Sequence, residues 1–184
     1  MDVIARYHSD VGNMVSAVWR ARWVVGNMVS ALWRGSRWVL IALNGRSMAT
    51  DGEWQEYLTL ADQMFVEVAD DLTRVRALSI SDGGAPTSRQ RQALVARFPD
   101  RQFPVAVVTS SRLARGIGTA LAWFYPAIRT FGPREFTRAL VYLGIPDAEV
   151  PALWRAIVEA NERISVATVL EIGSQTGLSR CASH

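Results

Sequence analysis

Lysine is absent from this 184-residue chain, and all twenty of its basic residues are arginine. The chain therefore has no Walker-type lysine for a phosphate and no lysine to form a Schiff base with a carbonyl substrate. Histidine and cysteine are scarce as well, because His8, His184 and Cys181 are the only ones and all lie near the chain ends. A zinc site needs about four clustered ligands, and a Cys–His or Ser–His pair needs a histidine beside its nucleophile. We expect no metal, no cofactor and no catalytic residues of these classes.

Long apolar runs are also missing. The longest clean stretches, such as Trp38–Leu43, have the length of a strand, whereas a membrane-spanning helix needs roughly 20 apolar residues. The first ten residues show neither the basic nor the apolar region of a secretory signal. With 49% hydrophobic and 20% charged residues, the composition is that of a globular domain. We expect a cytoplasmic protein without a membrane span.

The net charge of +3 conceals a strong segregation of charge along the chain. Residues 11–50 hold five arginines and no acid, and residues 51–71 hold seven acids and no arginine. A nucleic-acid surface would combine basic residues on one face with aromatic platforms or a reading helix. Here the tryptophans near Arg20 and Arg34 alternate with arginine as in a strand, which indicates packing in a sheet and argues against a nucleic-acid partner. We expect a protein partner instead.

A ten-residue sequence occurs twice. Val11–Arg20 and Val25–Arg34 differ only in Val18 and Leu32. The offset of fourteen residues is shorter than the roughly 20–50 residues of solenoid repeats. We infer a tandem duplication of one structural element, of which a single copy fills the original place in the fold.

The downstream copy is the better hairpin strand. It is followed by Gly35-Ser36, a pair that suits a tight turn, and then by the apolar run Trp38–Leu43. The upstream copy is expected to add to the sheet edge or to pair with a second subunit and give a homo-oligomer. A helix across residues 13–24 is the alternative for this segment.

After the hairpin, helices and strands alternate. Thr50 and Glu53 have the spacing of a capping box, and Gly144 marks a helix end. We expect helices from Thr50, over Arg89–Phe98, from Ser110 to about Tyr125, from Gly132 to Leu143 and from Asp147 to about Ile164, with strands at Val75–Ile80, Phe103–Thr109 and Ala127–Phe131, and loose residues after Gly173. This order predicts an α/β fold with an N-terminal β-hairpin, a mixed, mainly parallel sheet and a C-terminal helix. The expected division is an arm over residues 1–24, the α/β domain over 25–144, and a C-terminal helix with a flexible tail over 145–184.

This order of elements resembles the STAS or SpoIIAA-like domains, a family of anti-sigma-factor antagonists and related bacterial signalling modules. The resemblance covers roughly residues 27–144. In that family a turn between a strand and the second helix carries a phosphorylated serine in an Asp-Ser-Ser-Gly type motif. The corresponding segment here, Ser81–Ser88, keeps an acid, serines and glycines but is longer than that motif. The resemblance implies Ser88 as the phosphoacceptor.

Two loops are candidates for binding, because ligands of open parallel sheets collect beyond the carboxyl ends of the strands. Both carry hydroxyls at predicted helix N-termini, where the helix dipole favours an anion. The alternative is that Ser88 and Ser111 are N-caps, Gly83-Gly84 is a turn, and Asp82 is a cap or turn residue rather than an acid or base. The candidate anion or ligand contacts are Ser81, Asp82, Gly83, Gly84, Thr87, Ser88, Ser110, Ser111, Arg112 and Arg115.

Three hypotheses of function follow. The first is a non-enzymatic bacterial regulatory or protein-interaction module, phospho-regulated at Ser88. The second is an anion- or small-molecule-binding α/β protein, an enzyme included, that uses loops 81–88 and 109–112. The third is an assembly protein that oligomerises through its duplicated strand. No convincing nucleophile–base pair appears in the sequence, which favours the first and third.

Overall fold

The computed structural model describes residues 27–69, 71–99, 102–111 and 126–178, together with the backbone of residues 20–22. These residues form one six-stranded sheet whose spatial order follows the chain. The first three strands pair antiparallel, and the third to sixth run parallel. The strands are β1 (Arg20–Arg22), β2 (Met28–Arg34), β3 (Trp38–Asn44), β4 (Val75–Ser81), β5 (Val105–Thr109) and β6 (Ile128–Phe131). The predicted fold class, a mixed and mainly parallel α/β sheet that begins with a hairpin, is confirmed.

Helices cover both faces of the sheet. Along β2, Ala31 and Trp33 pack with the later helices, whereas Leu32 packs with the first helix, as the alternation of side chains along a strand requires. The described α-helices are α1 (Asp51–Glu67), α2 (Ser88–Arg97), α3 (Phe136–Leu143), α4 (Val150–Asn161) and α5 (Ala167–Thr176). None of the helices in this part of the chain is long and apolar enough to cross a membrane.

The predicted hairpin is confirmed, but its turn is longer than expected. Arg34 pairs with Trp38, so Gly35, Ser36 and Arg37 form a three-residue connection. The backbone N–H of Ser36 donates to the Glu149 carboxylate at 2.8 Å, and this distant contact holds the turn.

Helix α1 begins where the capping box predicted. Thr50 is its N-cap, and the Glu53 carboxylate accepts from the Thr50 N–H at 2.6 Å and from its hydroxyl at 2.9 Å. The same buried carboxylate accepts from the backbone N–H groups of Asn27 and Met28, the latter at 3.0 Å. Burial raises the pKa of Glu53, but these hydrogen bonds outweigh that effect and hold the pKa below its ordinary value of 4.5. One side chain thus joins the start of α1 to the start of β2.

The parallel core also follows the expectation. β4 and β5 are adjacent and parallel, with Ser81 opposite Thr109. Gly144 ends α3 in the left-handed conformation, with φ of 65°, which glycine adopts without strain. The helix expected between Ser110 and Tyr125 lies outside the described residues, as do Arg112, Arg115 and nearly all of the upstream copy.

The C-terminal part differs from the prediction of a single helix ending near Ile164. Asp147 does not cap it: residues Asp147–Glu149 form a 3-10 turn without a side-chain cap, and α4 starts at Val150. After α4 the chain reverses at Ser165, with φ of 57°, and α5 runs on to Thr176. The expectation of loose residues after Gly173 was therefore wrong up to Thr176. No local cap precedes α5, so the sequence contained no signal for its start.

Candidate functional site

The two loops predicted to bind a ligand lie together at the carboxyl ends of β4 and β5. Ser81 and Thr109 are direct partners in the register, so the residues after them emerge side by side. Thr168, in the first turn of α5, joins the loops: its hydroxyl lies 3.1 Å from the Ser81 carbonyl oxygen and 3.2 Å from the Ser110 hydroxyl. The described parts of both loops and the start of α5 form one polar surface.

Asp82 provides the missing cap of α5. Its carboxylate accepts hydrogen bonds, each 2.8 Å long, from the N–H of Ala167 and from the N–H and hydroxyl of Thr168. An anionic side chain at a helix N-terminus satisfies free N–H groups and complements the helix dipole. Asp82 is thus held by three donors from α5, which is the geometry of a structural cap.

The turn after β4 is held by hydrogen bonds between its own residues. The Ser81 hydroxyl donates to the Gly84 carbonyl at 2.7 Å and accepts from the Gly83 N–H at 2.9 Å. Gly83 has φ of 123°, a conformation that residues with a side chain rarely adopt. A Cβ on Gly84 would overlap the carbonyl oxygens of Gly45 and Ser47. Both glycines are required by the turn itself.

Thr87, and not Ser88, is the N-cap of α2. The Thr87 hydroxyl accepts from the Gln90 N–H at 3.2 Å, and the Gln90 side chain accepts from the Thr87 N–H at 2.9 Å. Thr87 has the extended backbone of a cap, so the expectation that Ser88 caps this helix was wrong. Gln90 also donates to the Ala49 carbonyl at 3.0 Å, which holds the β3–α1 loop against the first turn of α2.

Ser88 is the first residue of α2, and its side chain is exposed. Its hydroxyl oxygen accepts a hydrogen bond of 2.9 Å from Nη2 of Arg91. The Nη1 atom of the same guanidinium donates to the Pro86 carbonyl at 2.6 Å. An exposed hydroxyl, a helix N-terminus and a cation therefore meet at one point.

The second loop is described only as far as Ser111. Thr109 is fully buried, and its hydroxyl accepts from the Ser111 N–H at 3.1 Å. Ser110 is exposed. The anion contact expected from Arg112 and Arg115 lies outside the described residues and stays a prediction.

A cavity of about 240 Å³ lies elsewhere in the molecule, between α3, the start of α4 and the end of α5. Its lining includes none of the residues that the sequence singled out for binding.

Two residues that shape this surface were missed in the sequence. Arg91 follows Ser88 by three residues, a helical spacing that places both on one face. The sequence could therefore have predicted this contact. Thr168 is 86 residues from Asp82, and no local pattern relates the two.

The fold and this surface define a single-sheet α/β protein that presents a serine at a helix N-terminus beyond its parallel strands. No family model matches the chain, and no curated protein matches it. Among solved structures, it is similar to an uncharacterized protein of the DUF3478 family with a SpoIIAA-like fold from Shewanella loihica PV-4. That similarity has 16% sequence identity and a TM-score of 0.49, and covers 64% of this chain and 94% of the other.

Proposed function

We propose that this chain is a non-enzymatic partner-binding module whose interaction surface is regulated by phosphorylation of Ser88. The observation that carries the proposal is the contact between the exposed Ser88 hydroxyl and the Arg91 guanidinium at the first turn of α2. The other hydroxyls of this turn, those of Ser81 and Thr87, are engaged in hydrogen bonds that hold the loop.

A phosphate on Ser88 is favoured by its surroundings. It carries about two negative charges and three acceptor oxygens, and it would stand where the dipole of α2 attracts an anion. Arg91 already lies within hydrogen-bond distance of Ser88 Oγ, the atom that would carry the phosphate, and a charge-assisted bond to a phosphate oxygen is about twice as strong as a neutral one. We expect phosphorylation to stabilise α2 by about 1 kcal/mol.

The same phosphate would change the surface that a partner meets. Arg91 links Ser88 to the Pro86 carbonyl, so recruiting its guanidinium to a phosphate draws it away from the loop. Met48 is 63% exposed and belongs to the segment that Gln90 holds against α2. An apolar contact at Met48, together with a charge that changes at Ser88, would give a partner both affinity and a means of control.

The first test is chemical. Protein isolated from its own cells is analysed by mass spectrometry for phosphate, and a Ser88→Ala variant is compared with Ser110→Ala, which alters an exposed serine of the other loop. We expect phosphate on residue 88 in the parent and in Ser110→Ala, and none in Ser88→Ala. Absence of phosphate from residue 88 in all samples, under conditions in which the protein is expressed and folded, contradicts the regulatory part of the proposal.

The second test is physical and needs no kinase. Phosphoserine is incorporated at position 88 during synthesis, with and without Arg91→Gln. We expect the phosphoserine protein to melt higher than the parent and Arg91→Gln to remove most of the gain. A gain of equal size in both backgrounds would show that Arg91 does not recognise the phosphate.

The anion-binding alternative would use the same edge of the sheet. There, the N-terminus of α5 already holds the Asp82 carboxylate, and the turn hydroxyls are bonded internally. A phosphate carried by Ser88 itself fits this surface better than a separate anion.

A further inference from the structure

The position of β2 in the sheet, which we call the slot, accepts few sequences. β2 pairs with β1 on one side and with β3 on the other. Every residue from Met28 to Trp33 is at most 3% exposed. Any segment in this slot must match the packing on both faces of the sheet and the pairing with β3. The pairing with β1 is available to the downstream copy alone, because Arg20 of β1 belongs to the upstream copy.

The upstream copy meets these side-chain requirements almost completely. It carries the same residue as β2 at every position from Asn27 to Arg34 except one, where Val18 stands in place of Leu32. Leu32 is 1% exposed and packs with the first helix. The exchange of leucine for valine removes one methylene from that cluster and leaves the fully buried tryptophan unchanged.

The contact between Glu53 of α1 and the start of the strand in the slot also does not depend on which copy is present. Glu53 holds the start of β2 through the backbone N–H groups of Asn27 and Met28. The upstream copy has Asn13 and Met14 at the same positions, and their backbone groups are chemically identical.

The turn favours the downstream copy. A Cβ on Gly35 would overlap the Trp33 ring and Oε2 of Glu149, and the upstream copy has Ala21 at that place. The upstream copy also lies too far from β3 along the chain to use this three-residue turn. With the upstream copy in the slot, the connection to β3 would lengthen from three residues to the seventeen of positions 21–37.

The difference in free energy between the two copies in the slot is small enough for a substitution in the downstream copy to reverse it. Lengthening the connection costs about 13-fold in the closure equilibrium, and the missing methylene costs roughly 3- to 10-fold. The β1–β2 pairing and the contact of Ser36 with Glu149 are lost in addition, so the observed arrangement is favoured by at least about 100-fold, a bias that damage to one strand can exceed.

We propose that this slot binds either of two segments of the same chain, residues 27–34 in the structure described and residues 13–20 when the downstream copy is weakened. The inference is independent of the role of Ser88. It makes the duplicated segment a replacement strand within its own chain.

The test uses one substitution in each copy of the full-length chain. Ala31 is fully buried in β2, so Ala31→Asp places a carboxylate in the core and excludes the downstream copy from the slot. Ala17→Asp is the matched change in the upstream copy. We expect cooperative thermal unfolding of Ala17→Asp as in the parent, folding of Ala31→Asp with an equilibrium constant lowered by at least about 100-fold, and no folded state for the double variant.

Two outcomes would overturn the proposal. If Ala31→Asp alone is as unfolded as the double variant, the upstream copy cannot replace β2. If the double variant folds as well as Ala31→Asp, the core tolerates the carboxylate and no exchange is needed.

Cross-linking identifies the occupant directly. Ser30 pairs with Ala42 across β2 and β3, and with Cys181→Ser as background a short thiol cross-linker joins the pair Ser30→Cys/Ala42→Cys. We expect the pair Ser16→Cys/Ala42→Cys to cross-link within one chain when Ala31→Asp is also present. Without Ala31→Asp, we expect its rate to be at least about 100-fold lower than that of the Ser30 pair. Cross-links formed solely between two chains in the Ala31→Asp background would show that the replacement strand comes from a second molecule and would refute the proposal.

Discussion

Replacing Asp82 by alanine separates a structural role from a functional one at the candidate surface. The carboxylate accepts three hydrogen bonds from Ala167 and Thr168, and α5 has no side-chain cap of its own. Loss of an N-cap costs about 0.5–2 kcal/mol, and hydrogen bonds to a charged group contribute about 1.5–3 kcal/mol. The Thr168 hydroxyl keeps its contact with the Ser81 carbonyl, so we expect a loss of roughly 2–3 kcal/mol. For a domain of this size, that loss lowers the melting temperature by roughly 5–10 °C.

The assay is urea unfolding followed by circular dichroism, with amide hydrogen exchange at residues 167 and 168. Asp82→Asn is the matched control because it keeps one acceptor oxygen, and we expect it to lose about half as much. Exchange should accelerate at the start of α5 before it does in the sheet. Unchanged stability and exchange in Asp82→Ala would refute the assignment of Asp82 as the cap and leave its carboxylate free for another role.

Two further substitutions test contacts that position the slot and the surface. Glu53→Gln should lower stability at neutral pH by about 2 kcal/mol. Because the folded pKa of Glu53 is below its ordinary 4.5, its stabilising effect is complete above that ordinary value and is lost as the pH falls through the folded pKa. Parent and variant should therefore converge in acid-unfolding experiments, and a constant gap between them would contradict this account. Gly35→Ala forces a Cβ against Trp33 and Glu149 and should cost about 2–4 kcal/mol in denaturant unfolding, whereas Gly52→Ala, which meets no atom within 4 Å, should leave stability within about 1 kcal/mol.

The elements that the sequence predicted well are those whose signals are local. Thr50 and Glu53 lie three residues apart and form the expected capping box, and Gly144 ends α3 as its position indicated. The start of α5 escaped prediction because its cap, Asp82, is 85 residues distant from Ala167. A contact between residues so far apart in the sequence depends on how two elements pack, and no local sequence pattern predicts it.

The location of the candidate surface was predictable for a similar reason. Parallel strands end at the same edge, so residues after Ser81 and after Thr109 had to meet. Which of those side chains remain exposed was not predictable. Ser81 ends β4 and Ser88 begins α2, and the first closes the turn between them whereas the second is exposed. Ser81 bonds within the turn that Gly83 and Gly84 permit, whereas Ser88 follows the Thr87 cap of α2.

Two of the described helices, α2 and α5, begin beside the turn that follows β4, and their N-termini are in different electrostatic states. The N–H groups of α5 already hold the carboxylate of Asp82, so a second anion there would be repelled. At α2 the cap is the neutral Thr87, and the Arg91 guanidinium donates a hydrogen bond to the Ser88 hydroxyl. A phosphate added at Ser88 therefore meets a cation and a favourable dipole without displacing an acid, and this difference between two helix starts is the physical reason to look for regulation at α2.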